Sequence, residues 1–179
     1  MVKNETAIDK RAKLIIKYRK MKVRKKEENG DLITYRLTKG GKKYIMQCVC
    51  NQRNVGIANV RDLRDLVDEA EAEEGIMLTD SKYTYSAKHH APSMKIDLVP
   101  PTIPAFDIFK HKLVSPAEIL SDEERDIVIK KYHAKPHQFP KMRTKDPVSI
   151  ILGARKGDIV RFKQESELAG LYVTYRYVV

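Results

Sequence analysis

The run Lys17-Tyr18-Arg19-Lys20-Met21-Lys22-Val23-Arg24-Lys25-Lys26 is the densest gathering of chemically active side chains in this sequence. The first 26 residues hold 11 lysines and arginines against only Glu5 and Asp9, so one element carries most of the net charge of +11. Such a cluster suits a polyanion or an acidic protein surface, because each neutralised phosphate releases condensed counterions. The competing account is a solvated helix face with a frayed end. Lys20, Lys22, Arg24, Lys25 and Lys26 are the candidate phosphate contacts.

Other reactive side chains are sparse. Cys48 and Cys50 lie in a segment with strand character, are expected to point to opposite faces, and read as reduced structural thiols. A zinc site would need two further ligands at compatible spacing, and His89, His90, His111, His133 and His137 form no such pattern. No metal or other cofactor is expected. Gly40-Gly41 reads as a hairpin turn, and Gly153-Ala154-Arg155-Lys156-Gly157 lacks the terminal Lys-Ser/Thr of a phosphate-binding loop. No apolar run approaches the length of a membrane span, and mixed charge follows Met1 where a signal peptide would need an apolar stretch. A soluble intracellular protein without a membrane partner is the expectation.

The elements that must position these groups follow from periodicity. Ile8, Ala12, Ile15 and Ile16 recur at helical spacing, with basic residues on the other face. Asn29-Gly30-Asp31 marks a turn, and residues 32–37 and 43–50 form a hairpin around Gly40-Gly41. Val60, Leu63, Leu66, Val67 and Ala70 resume a helix, which Gly75 is expected to end. Ile76-Met77-Leu78-Thr79 reads as a buried strand, followed by a helix near Ser86–His90 and a strand near Lys95–Val99. This alternation predicts an α/β unit over residues 1–99 with a mixed sheet.

Pro100-Pro101-Thr102-Ile103-Pro104 interrupts every period and is the expected linker, 100–104. Beyond it, over 105–179, Ser121-Asp122-Glu123-Glu124 has the form of a capping box, with Ile127, Val128 and Tyr132 expected inward. Asp146-Pro147 opens a short helix and Gly153 closes it. Residues 159–163 and 171–179 read as strands, the last with one buried face. The fold class is therefore α+β.

The last 70 residues resemble a known family. His111-Lys-Leu113-Val114, Ile119-Leu-Ser-Asp-Glu-Glu124, Lys131-Tyr132, Gln138-Phe-Pro140, Asp146-Pro147-Val148, Gly153-Ala-Arg-Lys-Gly157-Asp158, Ser166-Glu-Leu-Ala-Gly170 and Tyr175-Arg176 carry the likeness in order and spacing. The family is the fifth subunit of eukaryotic nuclear RNA polymerases together with its small archaeal counterpart. Departures are Ile150-Ile151 where the family has an Arg-Tyr pair, Gln164 for an arginine, and Leu168 for a threonine. The resemblance implies a non-catalytic subunit whose C-terminal assembly domain docks on the largest polymerase subunit and the rest of the core. His111, Leu113, Asp146, Pro147, Gly153, Gly157, Ser166, Gly170, Tyr175 and Arg176 are the candidate partner-binding residues. Localisation follows the owner: cytoplasm for an archaeon or a cytoplasmic virus, nucleus for a eukaryote.

The longer, eukaryotic-like plan adds an N-terminal jaw domain, more weakly matched by Val55-Gly56-Ile57, Val60, Leu66, Ile76-Met77-Leu78 and Tyr85-Ser86-Ala87-Lys88. That jaw is similar to restriction-endonuclease-like domains and implies a place beside downstream duplex DNA. A nuclease of that fold uses an acidic residue at a strand start, then an acidic residue or Gln and, two positions later, a Lys on the neighbouring strand. Asp31 and Gln47 fit the first two positions, but Val49 stands where the lysine would be. The resemblance thus implies a metal-free remnant, with an active nuclease or a free-standing nucleic-acid-binding module as the alternatives.

Overall fold

The structure is a computed structural model that describes residues 6–166 and 170–179, with Ser166 described through its backbone only. Contacts divide the chain into two compact units, Met1–Phe106 and Asp107–Val179. The proline segment falls in the first, where Ile103 is buried.

In the first unit, helix α1 (Ala7–Tyr18) starts at Thr6, whose Oγ1 accepts the Asp9 amide, and buries Ile8, Ala12 and Ile15. It leads into a strand that periodicity did not indicate, β1 (Lys22–Asn29). Strand β1 forms a meander with β2 (Leu32–Lys39) and β3 (Lys42–Val49) through the expected turns at Gly30 and Gly40-Gly41. A short strand β4 (Asn54–Val55), helix α2 (Ile57–Glu69), strand β5 (Glu74–Thr79), strand β6 (Lys82–Tyr83), helix α3 (Tyr85–His90) and strand β7 (Ile96–Val99) follow. The main sheet has the order β1-β2-β3-β5-β7, antiparallel through β3 and parallel beyond it, so it is mixed.

Its central strands β3 and β5 are buried on both faces. Ile45, Val49 and Met77 pack with Val60, Leu63 and Val67 of α2 and Ala87 of α3. Alternate positions such as Tyr35 face α1, where the Tyr35 hydroxyl donates to Asp9. The Tyr83 hydroxyl lies 2.8 Å from the Met77 carbonyl and 3.0 Å from that of Val99, bridging β5 and β7.

Gly75 corrects one expectation: it does not end α2. That helix stops at Glu69, and Glu71 takes the left-handed conformation, φ 50°. Gly75 lies inside β5, where a Cβ would meet Leu63 Cγ and Val67 Cγ2 at 3.1 Å. Its missing side chain lets the strand approach the helix closely.

The second unit contains a short strand β8 (Ala117–Ile119), helix α4 (Asp122–Tyr132), strand β9 (Lys141–Met142), helix α5 (Pro147–Leu152), strand β10 (Ile159–Ser166) and strand β11 (Gly170–Val178). The sheet order is β8-β10-β11-β9, with β9 and β11 parallel and the other pairs antiparallel, again a mixed sheet. The capping box forms as read: Glu124 N–H donates to Ser121 Oγ, and the Ser121 amide to the Glu124 carboxylate. Asp146 caps α5 by accepting the Val148 amide, and Gly153 ends it at φ 75°. Leu120, Val128, Phe139 and Ile159 form the core.

Two expectations here are overturned. Ile127 is 64% exposed and Tyr132 48%, because α4 turns Val128 and Ile129 inward instead. The first half of β11 buries neither side, and Leu171 is 82% exposed. Among the described residues, β9 covers only Tyr177 and Val178 along that strand's outer edge.

Candidate functional site

The basic cluster does not lie on one helix face. It passes from the end of α1 through Lys20, at φ 56°, into the edge strand β1. Two of its five candidate residues are occupied along that strand: Lys25 pairs with Glu27 at 2.8 Å and Lys26 with Glu28 at 2.6 Å. The hydrogen bond to Glu28 holds the Lys26 ammonium above its ordinary range, against a smaller desolvation penalty. Among the described residues, Lys20 and Lys22 have no carboxylate partner shown, and Arg24 Nε donates to Thr38 Oγ1 at 3.3 Å. The register explains the division. Val23 opposes Leu37 and Lys25 opposes Arg36, so Arg24 is the extra residue of a β-bulge, a device that re-aims a side chain.

The nuclease-like positions do not converge. Leu32 opposes Val49, Thr34 opposes Gln47, and the Cys50 amide donates to the Asp31 carbonyl. Directly opposed residues share a side of the sheet and neighbours alternate, so Gln47 and Val49 face α2 while Asp31 shares the side of Ile33 and Cys48. Val49 has no exposed surface and Gln47 is buried, whereas Asp31 is exposed and accepts from Asn51 Nδ2 at 2.8 Å. Among the described residues, no three His, Cys, Asp or Glu side chains are grouped to hold a metal ion.

Cys48 and Cys50 are both free. The expected divergence fails on the strand's own period, since positions two apart share a side. Burial, reinforced by the neighbouring Cys50, pushes the Cys48 thiol well up and keeps it protonated at neutral pH. Burial likewise pushes the Tyr35 hydroxyl up to about 12.

In the second unit, most motif residues shape the chain locally. Asp146, Pro147 and Gly153 delimit α5; Gly157, at φ 102°, sets a turn, and Gly170, at φ 65°, opens β11. Tyr175 packs edge-on against Tyr132 and Phe139, with ring centroids 5.7 and 6.3 Å away. The Arg176 guanidinium lies 5.2 Å from the Phe162 ring centroid. His111 and Leu113 are exposed on one loop, where His111 Nδ1 accepts the Leu113 amide at 3.2 Å. Ser166 ends β10, but its side chain and Glu167, Leu168 and Ala169 lie outside the described residues. Sequence reasoning missed the exposed apolar group Leu171, Tyr172 and Val173; its signal was three consecutive apolar residues where a half-buried strand would alternate.

Fold and site together define a two-unit α+β protein whose first unit is restriction-endonuclease-like: residues 14–101 match the family model "Restriction endonuclease". Residues 106–178 match "RNA polymerase Rpb5, C-terminal domain". The chain is 47% identical over 74 residues to "DNA-directed RNA polymerase subunit Rpo5" of Pyrococcus horikoshii, 41% of this chain and 90% of that one. It is 44% identical over 72 residues to the subunit of that name from Methanothermobacter thermautotrophicus, 40% of this chain and 94% of that one. The chain belongs to the RNA polymerase Rpb5 family. Among solved structures it is similar to "Structure of EndoMS in apo form" at 15% identity and a TM-score of 0.40, covering 55% of this chain and about half, 47%, of that one.

Proposed function

We propose that this chain is a non-catalytic subunit of a DNA-directed RNA polymerase. Residues 105–179 dock it on the largest subunit, and residues 1–99 contribute a jaw beside downstream duplex DNA. The observation that carries the reading is the match over residues 106–178 to relatives that are themselves polymerase subunits, covered over nine-tenths of their length. His111, Leu113, Asp146, Pro147, Gly153, Gly157, Ser166, Gly170, Tyr175 and Arg176 remain the proposed docking set. Exposed Leu171, Tyr172 and Val173 add apolar area of the kind that protein interfaces cover. Lys20, Lys22 and Arg24 are the proposed contacts to DNA phosphates, which position without reading sequence, whereas Lys25 and Lys26 are already paired with Glu27 and Glu28.

The second reading, a metal-dependent nuclease, draws on the match of residues 14–101. Against it stands the placement of Gln47 and Val49 on the sheet side away from Asp31, with Val49 in the core. A free-standing nucleic-acid-binding module would use the basic cluster alone, and leaves the second unit's family match without a role.

Separate tagging of residues 105–179 and residues 1–99 tests the division of labour. The expected result is that 105–179 copurifies with the two largest polymerase subunits from a gentle lysate and that 1–99 does not. Retention of polymerase by 1–99 alone would overturn the assignment.

A further inference from the structure

At the end of the sheet where α1 turns into β1, a surface cavity of about 250 Å³ is lined by Lys20, Lys22, Arg24 and Lys39, with the Gly40-Gly41 turn closing one side. Three separate features of the chain turn cations into it. Lys20 occupies the left-handed backbone region, which lysine seldom adopts. Arg24 is the bulged residue of β1, and its Nε–H donates to Oγ1 of Thr38, which lines the same cavity. Lys39 ends β2 immediately before Gly40 and Gly41, both at positive φ.

Among the described residues, no ion pair is shown between these four side chains and a carboxylate. Desolvation, Arg19 and Lys20 together push the Lys39 ammonium below its ordinary range, outweighing the opposing pull of Glu74. Gathered like charges destabilise one another, and a bound anion reverses the sign of that term. The neighbouring, larger cavity shares Arg24 but is also lined by Glu69 and Glu71, so it lacks this single-sign character.

We propose that this pocket seats one backbone phosphate of duplex DNA, held by Lys20, Lys22, Arg24 and Lys39. The proposal deepens the jaw reading and rests on it for the choice of DNA. It also extends the contact set: Lys39 enters, while the paired Lys25 and Lys26 do not line the cavity. A point-charge lysine set with one arginine fork is a composition suited to a phosphate with oxygens pointing several ways.

The test uses the full-length chain and a short labelled duplex, with affinity measured by anisotropy between about 50 and 200 mM salt. Two double variants remove equal charge: Arg24→Gln with Lys39→Gln, and Lys25→Gln with Lys26→Gln. The first is expected to reduce the slope of log affinity against log salt by about 0.9, the contribution of one phosphate, and the second to leave it unchanged. An unchanged slope in the first, or equal reductions in both, would overturn the pocket. Inorganic phosphate at matched ionic strength separates the two sources of the ligand. Saturable shifts of the Gly40 and Gly41 amide resonances with phosphate, together with no slope change in the first variant, would overturn DNA in favour of a free phosphate. Because no polymerase is present, failure here leaves the subunit reading standing, and failure of the subunit reading leaves this measurement interpretable.

Discussion

Val49→Lys, which would restore the residue a nuclease of this fold carries, is expected to unfold the first unit's core more readily and to yield no nuclease. Val49 has no exposed surface and packs among Ile45, Val55, Val60 and Leu63. An ammonium there has no carboxylate partner, and an uncompensated buried charge costs about 3–5 kcal/mol against a total stability of about 5–15 kcal/mol. The pH dependence has a definite sign. A buried lysine has its folded pKa depressed, to as low as about 5–6, below its unfolded value of about 10.4. Between those values the unfolded chain binds more protons, so the variant's stability rises with pH. Urea unfolding beside the parent chain and Val49→Ala should show the largest deficit at neutral pH and a smaller one near pH 10. With Mg²⁺ or Mn²⁺, neither the parent nor the variant should cut DNA. An undiminished unfolding midpoint, or cleavage that disappears when Asp31→Ala is added, would contradict this account.

Phe139→Ala is expected to destabilise the second unit by about 3–5 kcal/mol, the usual cost of emptying a buried aromatic site. Phe139 packs with Leu120, Val128 and Ile159, and its ring meets Tyr132 edge-on at a 6.0 Å centroid distance. The effect should remain in the unit that holds the residue. Hydrogen exchange should accelerate at amides of α4, β10 and β11 while the protection of β3 and β5 is unchanged. Loss of protection in both units would show that they unfold together. If docking resides in the second unit, the same variant should also lose polymerase in a pull-down, and Phe139→Leu should recover part of it.

Much of this fold was legible because burial imposes a period. Ile8, Ala12 and Ile15 fixed one face of α1, and Val60, Leu63 and Val67 one face of α2. The Ser121–Glu124 box and the Asp146-Pro147…Gly153 frame marked helix ends through hydrogen bonds that local sequence can supply. Strand β1 was not legible. Lys22–Asn29 buries almost nothing, and it is held by pairing with β2 and by ion pairs along its own edge, which leave no hydrophobic alternation. Charged edge strands of this kind resist unwanted pairing, and the same property conceals them in sequence. Gly75 was misread because a glycine after an apolar helical run looks like a stop. Its actual task, admitting α2 against β5, exists only in three dimensions.

The candidate sites divide in the same manner. The motif residues of the second unit were visible as a series, but sequence alone did not distinguish Asp146 and Gly153, which shape α5, from His111 and Leu113, which reach solvent. The basic cluster was visible as charge. Its separation into paired Lys25 and Lys26 and pocket-lining Lys20, Lys22 and Arg24 depends on a bulge and on Lys39, brought in by the β1–β2 pairing. The nuclease-like spacing of Asp31, Gln47 and Val49 was legible too, but the hairpin register decides which of them share a side.

The central claim is that this chain works as a polymerase subunit, and mass spectrometry of what copurifies with the tagged full-length chain under gentle conditions tests it most directly. The account predicts the two largest polymerase subunits in amounts comparable to the chain itself, retained after nuclease treatment that removes DNA-bridged partners. Recovery of the chain free of polymerase, or with polymerase that disappears once DNA is digested, would contradict it.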